Sequence, residues 1–308
     1  MNTNDKSRVS RRCFLRGAGL AASAISAAGV CGLGNASASP LLPEFDEPQQ
    51  SALVPPQVPA TAAKGIEIAP GQWHPRYPWE QIAWISPPWP SEDYMWLDFP
   101  EAIFIKRDLI FLSHWDPAMP AVFPKVPWSI LPKGVAFDRQ LPNGVRFGGA
   151  VVKGSENTVD LDLHLYNGTS QPLTEITLQT CGYLRGIQEF SDLTRDNKFV
   201  FLANEGWIPL SRALTMTARP SAAYRVGWRT KGKLMADLPV LATVSNQAER
   251  LVAMTWYKDT CSMIGNPHHP CMHADPQFKD LHSGESASIH GKLIFFEGKL
   301  ADFDYLKY

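Results

Sequence analysis

Beyond residue 34 the 308-residue chain contains no apolar run near the roughly 18 residues needed to span a membrane. It has no block of basic residues, so it lacks the electrostatic footprint expected for nucleic acid or an anionic lipid surface. Also missing are a Gly-rich phosphate loop, a G-x-S-x-G nucleophile elbow and an H-E-x-x-H zinc helix, which sets aside three common chemistries. Amphipathic helical stretches are nearly absent and no internal repeat is visible, which argues against bundles and solenoids. Cysteine is scarce as well. Of five, Cys13 and Cys31 lie near the N-terminus, leaving Cys181, Cys261 and Cys271 for the rest of the chain. Three thiols allow one disulfide plus a free thiol, or thiols protected by a metal.

What is present begins with an address. Ser10-Arg11-Arg12-Cys13-Phe14-Leu15-Arg16 reads as a twin-arginine export signal, followed by the almost uncharged run Gly17 to Gly34 and the small residues Ala36-Ser37-Ala38. The expected partner is the twin-arginine export machinery, which carries proteins already folded. Cleavage after Ala38 predicts a periplasmic or secreted protein with no membrane span in its mature form. The segment 1–38 carries Lys6, Arg8, Arg11, Arg12 and Arg16 against Asp5, a net +4. The whole chain is formally −1, so the remainder is −5.

Residues 39–70, rich in Pro, Ala and Gln, read as an extended arm or linker. Residues 71–308 read as one domain with a Trp- and Pro-rich N-terminal portion. Seven of the ten tryptophans (Trp73, Trp79, Trp84, Trp89, Trp96, Trp115 and Trp128) are interleaved there with Pro78, Pro87, Pro88, Pro90 and Pro100. That proline density predicts short edge strands and ordered loops. Most of the indoles are expected in the core, and at least one in a cleft. Thereafter period-two patterning dominates. Val159, Leu161, Leu163 and Leu165 alternate with Asp160, Asp162, His164 and Tyr166, and Asn167-Gly168-Thr169 turns the strand. Further strands are expected at Gly144 to Val152, Lys198 to Leu202, Ala223 to Arg229, Val240 to Val244, Leu251 to Tyr257 and Ala287 to Phe296. Many short strands between turn residues predict an all-β fold, a large antiparallel β-sandwich.

Three clusters carry candidate chemistry. Asn266-Pro267-His268-His269-Pro270-Cys271-Met272-His273-Ala274-Asp275 reads as a rigid turn-rich loop. Its His268, His269, Cys271 and His273 are candidate ligands for zinc or copper. In the same loop Cys271 is the natural disulfide partner of Cys261, the two closing a short segment. A second cluster offers Arg185 with Glu189 or Asp192 as a clamp for a hydroxylated or carboxylated ligand, with Trp207, Trp256 and His269 as further candidate substrate contacts. In the third, Lys258 and Asp259 end a strand that leads toward the histidine loop. With His273 they form a candidate set for proton transfer.

Two stretches resemble the galactose mutarotase-like sandwich proteins, a superfamily of sugar epimerases and accessory domains of carbohydrate-active enzymes. One is the alternating strand Val159 to Leu173, with Asn167 and Pro172-Leu173. The other is Asp275-Pro276-Gln277-Phe278 followed by Leu281, Gly284 and Glu285. The resemblance implies a supersandwich whose concave sheet receives a carbohydrate ligand. Two departures stand out. Cys181-Gly182-Tyr183 replaces the family's histidine, and Lys258-Asp259 stands where a glutamate base belongs. The expectation is therefore an exported carbohydrate-binding or carbohydrate-processing protein, with epimerase, lyase and hydrolase chemistry all open. The alternative is a periplasmic metal-binding or redox protein that uses residues 266–275.

Overall fold

The computed structural model describes residues 65–71, 80–91, 94–113, 123, 125–184, 187–190, 196–228, 231–265 and 271–308. The export signal and residues 39–64 of the expected arm lie outside them. Two nine-stranded sheets dominate the described residues. With strands numbered along the chain, the first sheet runs in spatial order β1 (Ile68–Gly71), β2 (Ile82–Ile85), β3 (Met95–Ile105), β9 (Thr177–Tyr183), β17 (Cys271–Pro276), β16 (Thr260–Gly265), β12 (Tyr224–Val226) and β13 (Lys233–Ala236). Strand β4 (Asp108–Leu112) pairs with the second half of β3. The second sheet runs β11 (Gly206–Pro209), β10 (Lys198–Leu202), β14 (Val240–Val244), β15 (Arg250–Thr255), β18 (Ser286–Glu297), β8 (Thr158–Asn167), β7 (Val145–Lys153), β6 (Gly134–Gln140) and β5 (Ser129–Leu131). Neighbouring strands are antiparallel except β12 and β16, which are parallel. The fold is thus an all-β antiparallel sandwich, with a single short α-helix, α1 (Leu210–Thr215), among the described residues.

Alternation in the sequence explains which face each strand buries. Val159, Leu161, Leu163 and Leu165 of β8 are buried, and so are Ile289, Leu293 and Phe295 of β18, its ladder partner. Between the sheets these meet Ala83, Ile85, Met95, Leu97 and Phe99 from the first sheet. Burying a large apolar side chain contributes roughly 1.5–3 kcal/mol, so this shared layer is the main source of stability. Asn167 ends β8 with every polar atom used. Its amide donates to the carbonyls of Gln171 (2.8 Å) and Leu281 (3.0 Å), while its side-chain oxygen accepts from Thr169 N–H (3.0 Å). The backbone of Gly284, at φ 79°, donates to the Asn167 carbonyl (2.7 Å), locking the turn to the approach of β18.

Two expectations need correction. The Trp- and Pro-rich portion was expected to form only edge strands and loops, yet β3 is an interior strand of eleven residues that contains Pro100. A register shift between Asp98 and Ala102 opens a bulge there, so the ladder needs no N–H from proline. The Pro-rich arm was expected to run to residue 70, but β1 already begins at Ile68 and pairs with β2.

The outer face of the second sheet is also covered. Val240, Ala242, Val244, Leu251, Ala253 and Ile294 pack beneath the C-terminal Phe303 and Tyr305. Tyr305 hydroxyl lies 3.0 Å from Thr255 Oγ1, and Tyr257 hydroxyl donates to the Tyr308 carbonyl at 3.1 Å.

Asp237 secures the connection after β13, accepting from Ala203 N–H (2.7 Å) and Arg219 Nη1 (2.6 Å). Partial burial pushes its carboxyl up, but the Ala203 N–H and the Arg219 guanidinium outweigh that and hold it below the ordinary value. A depressed carboxyl adds stability above its unfolded value near 4, and the gain is lost as pH falls through the folded value. Asp237→Asn should therefore cost about 1–2 kcal/mol at pH 7 in urea unfolding. That deficit should shrink as pH falls through the depressed folded value, and a deficit independent of pH would show that charge is not its cause.

Candidate functional site

The outward face of the first sheet carries an unusual set of side chains, ordered by strand register. One lateral row is aromatic: Trp84 (β2) faces Trp96 (β3), Trp96 faces Tyr183 (β9), and Tyr183 faces Cys271 (β17). Trp96 and Tyr183 are in ring contact at 5.5 Å between centroids, and Trp96 is the half-buried member of the row. The next row is polar at its centre. Asp98 (β3) faces Cys181 (β9), and His273 (β17) faces Ile264 (β16). Since Cys271 pairs with Tyr183 and Met272 with Gly182, one further step of that ladder sets His273 beside Cys181. A third level holds Asp275, opposite Ser262.

Cys181, Cys271, His273, Asp98 and Asp275 are all buried, and Glu80 and Glu101 join them from the β2–β3 side. Asp98 accepts from Ser113 hydroxyl at 2.6 Å. Asp275 accepts from Ser262 hydroxyl (3.0 Å) and from Thr180 N–H (3.2 Å). His273 Nδ1 stands 3.4 Å from Asp275 Oδ1 and 3.9 Å from Glu101 Oε2, close enough for an ion pair but outside hydrogen-bonding geometry. Trp228, just after β12, closes over the imidazole with a centroid separation of 6.2 Å.

Burial and crowding set the charge states. Desolvation, then the neighbouring Glu101 and Glu80, push Asp98 well above the usual carboxylate range, against the opposing pull of Ser113 and His273. Cys181 is pushed well up by its hydrogen bond with Cys271 and by burial, with Cys271, Glu101 and Asp98 adding repulsion. For His273, burial pulls downward, but the Cys271 sulfur and the Asp275 carboxylate prevail and the imidazole lies well above its ordinary value. Burial and the neighbouring charges thus favour the protonated forms of both Asp98 and His273.

Two cavities flank the sheet. One of about 260 Å³ is lined by Trp228, Ile264, Val226, Leu214, Lys231 and Lys233, next to His273 through both Trp228 and Ile264. The other, of about 490 Å³, is open and polar, with Arg107, Glu175, Arg225, Thr260, Cys261 and Gln277 around it.

The structure separates several residues that the sequence reading had grouped. Lys258 is exposed and Asp259 half-buried on a short 3-10 turn (Tyr257–Asp259) preceding β16. Asp259 accepts at its carbonyl from Gln277 N–H, four residues along the chain from His273, so Asp259 and His273 lie roughly 13 Å apart. The proposed triad of Lys258, Asp259 and His273 is not assembled. Cys261 sits at the same remote end, beside the Ser262–Asp275 pair, whereas Cys271 lies past Met272 at the other. That distance is far beyond the 4.4–6.8 Å of a disulfide, so the expected Cys261–Cys271 pairing is not formed; the thiol near Cys271 is that of Cys181, and none of the three cysteines is in a disulfide. Trp256 is fully buried in the core and stacked on Phe99 at 6.1 Å, so it is no substrate platform. Trp207 packs against Phe201 and Phe303 on the second sheet. Glu189 is engaged by Arg250 at 3.0 Å, itself stacked on Trp89. Arg185, Asp192, His268 and His269 lie outside the described residues.

Residues 271–275 were expected in a loop and are a strand instead. Cys271, His273 and Asp275 recur at every second position, which is the alternation that puts all three on one face. That signal was legible. The contributions of Cys181, Asp98, Glu101 and Glu80 were not, because only long-range pairing brings them in.

No family model matches the chain, and no curated protein matches it in sequence. Among solved structures it is similar to an aldose 1-epimerase candidate from Escherichia coli K12, with a TM-score of 0.39 at 10% identity. That match covers 76% of this chain and all of the other. It is also similar to an aldose epimerase homologue from C. elegans, with a TM-score of 0.33 at 11% identity over 65% of this chain and 79% of that one. A kojibiose phosphorylase candidate from the human microbiome gives a TM-score of 0.33 at 8% identity. There 79% of this chain spans 27% of the larger protein. The fold class rests on the two sheets themselves. They define a large antiparallel sandwich with an acidic, thiol-bearing outer face.

Because Trp256 is core and Asp259 is peripheral, their variants should differ sharply. Trp256→Ala should lower unfolding free energy by about 3–5 kcal/mol. Asp259→Ala should stay within about 1 kcal/mol of the parent in the same urea titration.

Proposed function

We propose that the outer face of the first sheet binds a carbohydrate ring and delivers a proton to it. The observation that carries this reading is the register itself. An aromatic row, Trp84–Trp96–Tyr183, lies one level from a row that holds Asp98 and His273. Aromatic faces stack on the apolar faces of sugar rings, while carboxyl and imidazole groups hydrogen-bond the hydroxyls that fix orientation. Asp98, held toward its neutral form, is the proton donor in this reading, and His273 positions an oxygen of the ring. A glycan array followed by calorimetry on the full chain tests it. Trp96→Ala should weaken the best ligand about tenfold, equivalent to ~1.4 kcal/mol of lost stacking. Absence of binding to every mono- and oligosaccharide tried would end the proposal.

We further propose that the chain is exported folded by the twin-arginine route, on the strength of Arg11-Arg12 and the small residues Ala36-Ser37-Ala38. Paired Arg11→Lys and Arg12→Lys substitutions should leave the full-length protein in the cytoplasmic fraction of a bacterial host. Unchanged export of the variant would refute the route.

A further inference from the structure

The two thiols and the imidazole have a use that the sugar reading does not require. We propose that Cys181, Cys271 and His273 bind one thiophilic transition-metal ion, with zinc as the reference metal. Their donor atoms already lie within 4.8 Å of one another, and all three residues are buried. Tetrahedral zinc, with bonds of about 2.3 Å to sulfur and 2.0 Å to nitrogen, spaces its ligands about 3.5–3.8 Å apart. The widest separation within that limit exceeds the zinc spacing by about 1 Å, a gap that side-chain rotation can close. Cys271 and His273 alternate along β17 and so share a face, and β9 supplies Cys181 from the adjacent strand.

The same register disfavours a disulfide. Tyr183 stands directly opposite Cys271, which leaves Cys181 on the diagonal. Diagonal neighbours in an antiparallel pair are roughly 7–8 Å apart, beyond the usual disulfide span. The surroundings of the histidine are those of a metal ligand. Nδ1 faces the carboxylates of Asp275 and Glu101, and one ring nitrogen lies within 4.8 Å of both sulfurs. Asp275 is held in turn by Ser262 hydroxyl and Thr180 N–H, an outer shell that orients the ring. As the metal binds, both thiol protons and the proton on the ligating imidazole nitrogen pass to solvent. Two thiolates and a divalent ion then make a neutral unit, suited to a buried site crowded with carboxyl groups. Three protein ligands leave a fourth position open, as in catalytic rather than structural zinc sites. His268 and His269, the other residues expected as ligands, are not needed for this set.

The test uses the full chain, stripped with chelator and titrated with Zn²⁺ and with Co²⁺ as a spectroscopic probe. One equivalent should bind, and the cobalt form should show an intense near-ultraviolet thiolate-to-metal band. Cys181→Ser and Cys271→Ser should each weaken binding roughly a hundredfold and reduce that band, while Cys261→Ser leaves both unchanged. Asp275→Asn, which removes only a positioning residue, should weaken zinc ten- to a hundredfold. Thermal melts of the metal-free variants separate lost ligation from lost folding. Three results overturn the proposal: no stoichiometric binding, no thiolate band in the parent protein, or a Cys181–Cys271 disulfide in protein recovered from its native compartment. Glycan binding measured on the same samples, with and without metal, keeps the fate of the sugar reading separate.

Discussion

Four carboxyl groups, two thiols and one imidazole share the buried outward face of a β-sheet, and most of what is distinctive in this molecule follows from that crowding. Burying an ionised group without compensation is costly, so the groups must share protons, pair or meet a cation. The chain does the first two visibly. Asp98 is driven toward its neutral form and bonded to Ser113, and His273, against the pull of burial, is pushed toward its protonated form by Cys271 and Asp275. Asp275 is fixed by a hydroxyl and a backbone N–H.

The rigidity such a site needs comes from the other side of the same strands. Between Cys181 and Tyr183, Gly182 turns inward, where a side chain would meet Met254, Met272 and Met95. Between Cys271 and Asp275, Met272 and Ala274 point into the core. Thr180 Oγ1 lies 3.0 Å from the Ala274 carbonyl and 3.4 Å from the Trp256 indole nitrogen, tying β9 to β17 and to the second sheet. Each outward functional residue is thus bracketed by inward neighbours in a close-packed interior, where displacement is resisted by many contacts. The second sheet is treated differently. Its outer face is sealed by the aromatic C-terminal segment around Phe303 and Tyr305, which leaves the face bearing Asp98 and His273 as the chemically varied one among the described residues.

Much of the architecture was legible before any coordinates. Alternation in Thr158 to Tyr166 and Ala287 to Phe296 correctly assigned two central strands and their buried faces, because a period of two has one physical interpretation over eight or more residues. Local punctuation misled in two places. Pro100 argued against an interior strand, yet a bulge absorbed it. Pro267, Pro270 and Pro276 made residues 266–275 read as a loop, which hid the alternation of Cys271, His273 and Asp275. Trp256 offered an aromatic ring that only its burial assigns to the core.

By itself the sequence determined the fold class, the inward face of the longest strands and one strand of the site, since each depends on residues a few positions apart. Tertiary structure alone decided that Cys181, ninety positions from Cys271, is its neighbour in place of Cys261, and that Asp98 joins them while Asp259 does not. Such choices depend on which strands pair and in what register. Pairing is settled by burial of the whole inner layer, and no local pattern of side chains records it.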